Sequence, residues 1–171
     1  MKGVFFVSVS LKFQHIENNL VKLFTLLYEN TNISKYVFYL VDNPLSMPDV
    51  PIDLLKNGNY LLTVFDDKIL QEEKVRIFLN PYSGDLRNIP IGEITYVMDI
   101  IVPNTKWILH GLGQIRAFRI ADEFSKMVDG QYVAGLGQVN ITNFRMYKVN
   151  DSYSGVSLFI KVNTSTLKGG M

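Results

Sequence analysis

Cysteine is absent from the 171 residues of this chain. Its absence excludes disulfides, thiolate nucleophiles and cysteine-ligated metal, and is compatible with a reducing cytosol. Histidine is scarce too, with His15 and His110 alone. No His-x-x-x-His pair or similar ligand spacing occurs, so neither a metal site nor a metal cofactor is expected. His110 sits in a glycine-flanked stretch without a Ser or Asp at diagnostic spacing, and reads as a surface loop histidine rather than a catalytic base. An excess of charge is missing as well: 17 Lys and Arg stand against 16 Asp and Glu, for a formal net charge of +1. The basic residues are spread along the whole chain, whereas non-specific binding to nucleic acid needs several of them clustered. DNA is therefore at most a neighbour. No window contains the ~20 apolar residues of a membrane span, so no membrane partner is expected.

Phosphate-binding loops are missing in the same sense. Gly111-x-Gly113 has Arg116 where a third glycine belongs, and Gly135-x-Gly137 has Asn140 there and precedes a strand. Neither fits the strand, glycine loop and helix that aim backbone amides at phosphate, and no Walker-type Gly-Lys-Ser/Thr is present. The likeness of Gly111–Ile115 to Gly135–Val139 does not extend into their flanks and is no structural repeat. The N-terminus also lacks what a secretion signal needs. Lys2 precedes an apolar stretch, but Ser8 and Ser10 interrupt it, Lys12 ends it, and no small-residue cleavage site follows. Residues 1–11 are thus expected to be a folded strand or an arm that pairs with a neighbouring subunit. The sequons at Asn32, Asn140, Asn150 and Asn163 then carry no glycosylation meaning.

What the chain does have is apolar and aromatic matter. Hydrophobic residues make up 47% and charged residues 19%, with 11 Phe and 9 Tyr. This suits one folded domain over residues 1–171 with a sizeable core, and leaves apolar side chains for a partner to cover. Val4–Leu11 has strand character. Ile16, Leu20, Leu23, Phe24 and Leu27 recur at helical spacing and predict a helix over Gln14–Glu29. A second short helix is expected from Ile33 to Leu40, capped by Asn32. Pro44, Pro48 and Pro51 keep Asp42–Ile52 out of regular structure and predict an ordered surface loop, with a short apolar segment, Ile52–Leu55, after it. Tyr60–Phe65 reads as a strand, Asp66-Asp67 as a turn, Lys74–Leu79 as a strand, and Asn80–Asn88 as a turn-rich loop around Pro81 and Gly84. Glu93–Val102 is apolar on both faces apart from Asp99, the pattern of a central strand covered on both sides. Ala117, Ala121, Phe124 and Val128 form the apolar stripe of a helix over Ile115–Val128, with Gly130 as its C-terminal stop. Gln138–Val149 and Val156–Thr164 are strands joined as a hairpin by Asp151–Gly155, and Leu167–Met171 is a loose tail. The fold class is α+β: one domain, an antiparallel or mixed sheet with flanking helices.

Few residues in this pattern bear chemistry. Asp66-Asp67, Glu72-Glu73 and Asp122-Glu123 are adjacent pairs whose side chains diverge, which makes them poor acid–base couples. Asp122 has Lys126 at i+4 to pair with. Arg116 and Arg119 stand three apart in the first turn of a helix, where positive charge opposes the dipole. A carboxylate partner across an interface, such as Glu72-Glu73, would offset this. Pro44, Leu45 and Pro48 are the candidate contact residues of the proline-bearing loop. No residue pattern calls for a cofactor, and no enzymatic activity is expected.

Two stretches carry a resemblance. One is Asp42-Asn-Pro-Leu-Ser-Met-Pro-Asp49, after helices that end in Lys35-Tyr-Val-Phe-Tyr39. The other runs from Tyr96-Val-Met-Asp-Ile-Ile-Val102 through Trp107 to Arg116-Ala-Phe-Arg-Ile-Ala-Asp-Glu-Phe124. Together they resemble small neck proteins of tailed bacteriophages, of the tail-terminator or tail-completion type. Residues 1–11 depart from that pattern. The resemblance implies a virion protein: a ring-forming subunit at the head–tail junction, commonly a hexamer, in contact with other neck or tail proteins and with DNA at most in its channel. The alternatives are another virion component, for head completion or the tail tube, and a soluble adaptor that binds one protein.

Overall fold

In the computed structural model, residues 12–56, 58–62, 71–84 and 92–163 are described. The expected Val4–Leu11 strand or arm, the Asp66-Asp67 turn and the Leu167–Met171 tail lie outside them.

Helix α1 spans Lys12–Glu29, and the predicted apolar stripe buries Leu23, Phe24 and Leu27. Helix α2 spans Thr31–Phe38. Its cap is Asn30, not Asn32: the Asn30 side chain accepts the Ile33 N–H at 2.9 Å, so the chain turns into α2 with almost no break after α1. Pro44–Ser46 forms a single 3-10 turn within the proline-bearing segment, and Ile52–Leu55 winds into the one-turn helix α3. Tyr60–Leu61 is β1, Arg76–Gly84 is β2 and Glu93–Pro103 is β3. A 3-10 turn at Asn104–Lys106 and a two-stranded ribbon, β4 (Ile108–Leu109) with β5 (Gln114–Ile115), lead into helix α4, Arg116–Val128. Strands β6 (Gln131–Val133), β7 (Gly137–Lys148) and β8 (Tyr153–Asn163) complete the described chain.

Six strands form one mixed sheet in the order β1-β2-β3-β8-β7-β6. Among the described strands of this sheet, only β1 runs parallel to its neighbour. The fold is therefore α+β in one domain. Its core lies between one sheet face and the helices, where Met98, Ile100 and Phe124 are all fully buried. Two sequence expectations need correction. Asn80–Gly84 is strand and not loop, because β2 continues through Pro81 with a register shift before Ser83. Proline is tolerated there because the pairing of β2 with β1 reaches only Phe78, so no ladder bond on that side is lost among the described residues. The second face of β3 is also only partly covered: Ile101 packs with Phe78 and Tyr153 in a small separate cluster, while Thr95, Val97 and Asp99 are half-buried. Asp99 is placed to accept hydrogen bonds from the Tyr147 hydroxyl at 3.1 Å and from Ser157.

Candidate functional site

The two arginines singled out in the sequence play different parts. Arg116 is buried, 1% exposed. Its guanidinium donates to four backbone carbonyls: Tyr36 at 2.9 Å, Tyr39 at 2.8 Å, Val41 at 2.6 Å and Lys106 at 3.0 Å. Tyr36 and Tyr39 lie at the C-terminal end of α2, where carbonyls lack helical partners and the dipole favours a cation. The charge that is unfavourable at the start of α4 thus serves the end of α2. Burial pulls the Arg116 guanidinium below its ordinary pKa, opposed by the nearby charge of Asp42. Arg116 has no surface to offer a neighbouring subunit, which removes it from the shared arginine face expected from sequence.

Arg119 is half-exposed and pairs with Asp122 on its own helix. Lys126 pairs with Glu123 at 2.5 Å, not with Asp122 as its i+4 spacing suggested. The expected carboxylate partners are also engaged within the chain. Glu72 pairs with Lys74 at 2.5 Å, which holds its carboxyl below the ordinary range, and Glu73 accepts the Thr105 hydroxyl. In the proline-bearing segment Pro44 is buried, whereas Leu45 and Pro48 are exposed. Asp49 pairs with Lys35 at 2.9 Å and Asp42 accepts the backbone N–H of His110 at 3.3 Å, so side chains at both ends tie the segment to the fold.

The surface that stands out is one the sequence did not mark. Strand β6 covers β7 only over Gly137–Val139. From Asn140 to Lys148 the outer edge of β7 has no neighbouring strand among the described residues. A register shift between Ile141 and Asn143 makes Thr142 an extra residue, a β-bulge. The bulge reverses the alternation. Val139 and Ile141 face the helices before it, and Phe144 and Met146 do so after it, opposite Leu158 and Val156 of the buried face of β8. Helix α4 does not reach far enough to cover them: Phe144 is 60% and Met146 50% exposed. Phe144 meets Phe118 of α4 edge to face at 6.3 Å. Between them opens a groove of about 540 Å³, lined by Phe118, Ala121, Ile141, Phe144, Val156 and Leu158. The opposite face of the same edge is mixed, with Ile101 and Val149 beside its polar groups. Arg145 and Tyr147 lie there beside Asp99 and Ser157, and burial, together with the Asp99 carboxylate, pushes the Tyr147 hydroxyl above its ordinary pKa. Among the described residues the site is a strand edge without a neighbouring strand, apolar on one face and mixed on the other.

The family model YomW matches residues 23–162, from the middle of α1 to the end of β8. The chain belongs to the YomW family. The family is phage-derived, which identifies this as a phage protein. The match takes in the sheet, α4 and the open edge, and leaves residues 1–22 outside it. No curated protein matches the chain. Among the described residues no group of three acidic or histidine side chains is placed to hold a metal ion, and no helix is long and apolar enough to cross a membrane.

Proposed function

We propose that this YomW-family chain is a structural subunit of the phage particle, a non-enzymatic protein that assembles into a ring at the head–tail junction as a tail terminator or connector. The observation that supports this is the β7 edge. An apolar strand edge with no neighbouring strand among the described residues, where only the Ile141 and Phe144 N–H groups meet side-chain acceptors, Asp129 and Asn143, is a surface that a soluble protein normally blunts with proline, charge or a covering element. Strand β2, on the other side of the sheet, carries such devices in Pro81 and a register shift. From Asn143 to Lys148, β7 has no proline; it presents Phe144 and Met146 on the face toward the helices, with its charges at Arg145 and Lys148. A main-chain ladder supplies affinity at such an edge and adjacent pockets supply specificity. An asymmetric contact of this kind joins copies head to tail and closes into a ring when the rotation permits.

Its other partners would be neighbouring neck or tail proteins, and DNA only as it passes through the channel. Arg119 stays a candidate for the inter-subunit face, now in exchange with its Asp122 partner. Light scattering on the purified full-length chain, followed by electron microscopy, tests the reading. Closed rings of several subunits, six by the resemblance, are expected. A monomer that binds one soluble partner tightly would favour an adaptor instead.

A further inference from the structure

We propose that the mixed face of the sheet holds a receptor for a basic side chain of a protein partner, with Asp99 taking its charge and Tyr147 its stem. The inference goes beyond the assembly reading. It names the chemistry a partner brings to the other face of the edge strand, and it stands whether or not copies of the chain join.

The receptor is built across three strands. Asp99 of β3 and Arg145 of β7 both lie opposite Ser157 of β8. Tyr147 of β7 reaches over β8 at Gly155, where a Cβ would stand 2.5 Å from its ring. The missing side chain at Gly155 is what lets the ring lie so close to the sheet. Its hydroxyl then donates to Asp99 Oδ1 at 3.1 Å, and the buried Ser157 hydroxyl donates to the same oxygen.

These two hydroxyls satisfy one oxygen but bring no positive charge to a half-buried carboxylate. Among the described residues Asp99 has no ion pair, and nothing donates to its Oδ2. Beside it opens a pocket of about 280 Å³, lined by Asp99, Ile101, Arg145, Tyr147, Val149 and Ser157. A cation on an aliphatic stem matches this lining: the carboxylate and the aromatic ring attract the charge, and Ile101 and Val149 cover the stem. An anion would meet the Asp99 carboxylate, and an apolar group would strip water from it without supplying a donor.

Arg145 decides what accompanies the base. It is exposed and has no ion pair among the described residues, so it repels a lone cation entering beside it. The Cα atoms of Asp99 and Arg145 are two inter-strand spacings apart, about 10 Å. Side chains two residues apart on an extended segment share a face at about 7 Å. A base and an acid in that relation reach Asp99 and Arg145 together. The occupant is an extended segment of the form base-x-acid, lying across the strands.

Saturation-transfer NMR tests this with the peptide acetyl-Lys-Ser-Glu-amide over the full-length chain, because it reads binding to a monomer or a ring alike. The lysine methylene signals are expected to take up saturation, and the peptide with Gln in place of Lys to show none. The peptide with Gln in place of Glu is expected to bind about threefold more weakly, the worth of one exposed ion pair. Arg145→Gln should abolish that difference. Asp99→Asn keeps an acceptor for both hydroxyls, so it should hold its melting midpoint and lose the peptide. Absence of binding by the Lys-Ser-Glu peptide, or binding that survives Asp99→Asn, would overturn the inference. So would equal binding of the Gln-Ser-Glu peptide, which would make this an anion site on Arg145.

Discussion

Arg116 shows how one side chain can be costly to its own helix and still be the right choice. It stands where α4 presents a positive dipole end, yet its planar fork holds four carbonyls, that of Tyr36 buried and those of Tyr39, Val41 and Lys106 partly so. Lysine has one nitrogen and cannot span them. Arg116→Ala is expected to destabilise the fold by about 3–5 kcal/mol, since a buried acceptor left unpaired costs about 1–3 kcal/mol. Arg116→Lys should recover only part of that, and urea melts of the two variants check the order. An unchanged midpoint for the alanine variant would contradict the role given to Arg116. Gly155 is fixed by a different constraint. A Cβ there would meet Tyr147 Cζ at 2.5 Å, because the ring lies across the glycine from the neighbouring strand. Gly155→Ala should cost about 1–3 kcal/mol by overpacking. The cost should shrink when Tyr147 is also cut to alanine, a coupling that a double-mutant cycle measures.

Among the elements, α4 ties the fold together. Its apolar stripe packs on the sheet, and its polar side meets α2 through Glu123, which accepts Asn32 Nδ2 at 3.0 Å. Burial alone would raise the Glu123 carboxyl, but hydrogen bonds from Lys126 and Asn32 outweigh it and hold the group below its ordinary value of 4.5. A lowered folded pKa means that this stabilisation is complete above the unfolded value and fades as pH falls through the folded one. Acid unfolding should therefore steepen below about pH 4.5, and Glu123→Gln should flatten that part of the profile. Beneath α4, Ile100→Ala should cost about 2–5 kcal/mol; a chain with an unchanged melting midpoint would not have this core. The core elements were legible in sequence because α1, α4 and β3 each bury one uninterrupted periodic face. The bulge at Thr142 was not. It breaks the alternation of β7 in mid-strand, and no residue there marks it, so the apolar face of the edge was hidden. Strand β2 was cut short for a related reason: Pro81 signals a loop when the sequence is read alone. The short β6 was missed because a three-residue strand has too few residues to display a period. The paired glycines at 111–113 and 135–137, set aside as a loose echo, both make tight turns between strands. Gly113 and Gly137 both have positive φ, whereas Gly135 has it and its counterpart Gly111 does not, so the two turns share a requirement only at the second glycine.

For the whole molecule, function rests on where the fold leaves surface open. The chain is near electrical neutrality, so in the proposed assembly long-range steering is weak and the apolar edge carries the affinity. Met146→Lys changes a half-exposed side chain and should leave monomer stability within about 0.5 kcal/mol while abolishing assembly; Phe144→Lys should also abolish assembly and lose in addition the ring contact with Phe118, about 0.5–1.5 kcal/mol. Raising salt should do little to a contact made by a strand ladder and apolar burial, and more to one made by arginine pairs. The most direct measurement is the mass and shape of the purified full-length chain over a wide concentration range, by light scattering and electron microscopy. A subunit of a junction ring gives a single closed oligomer that dissociates when Met146 becomes lysine. A wild-type chain that stays monomeric at every concentration, with the β7 edge exchanging freely, would contradict the assembly function.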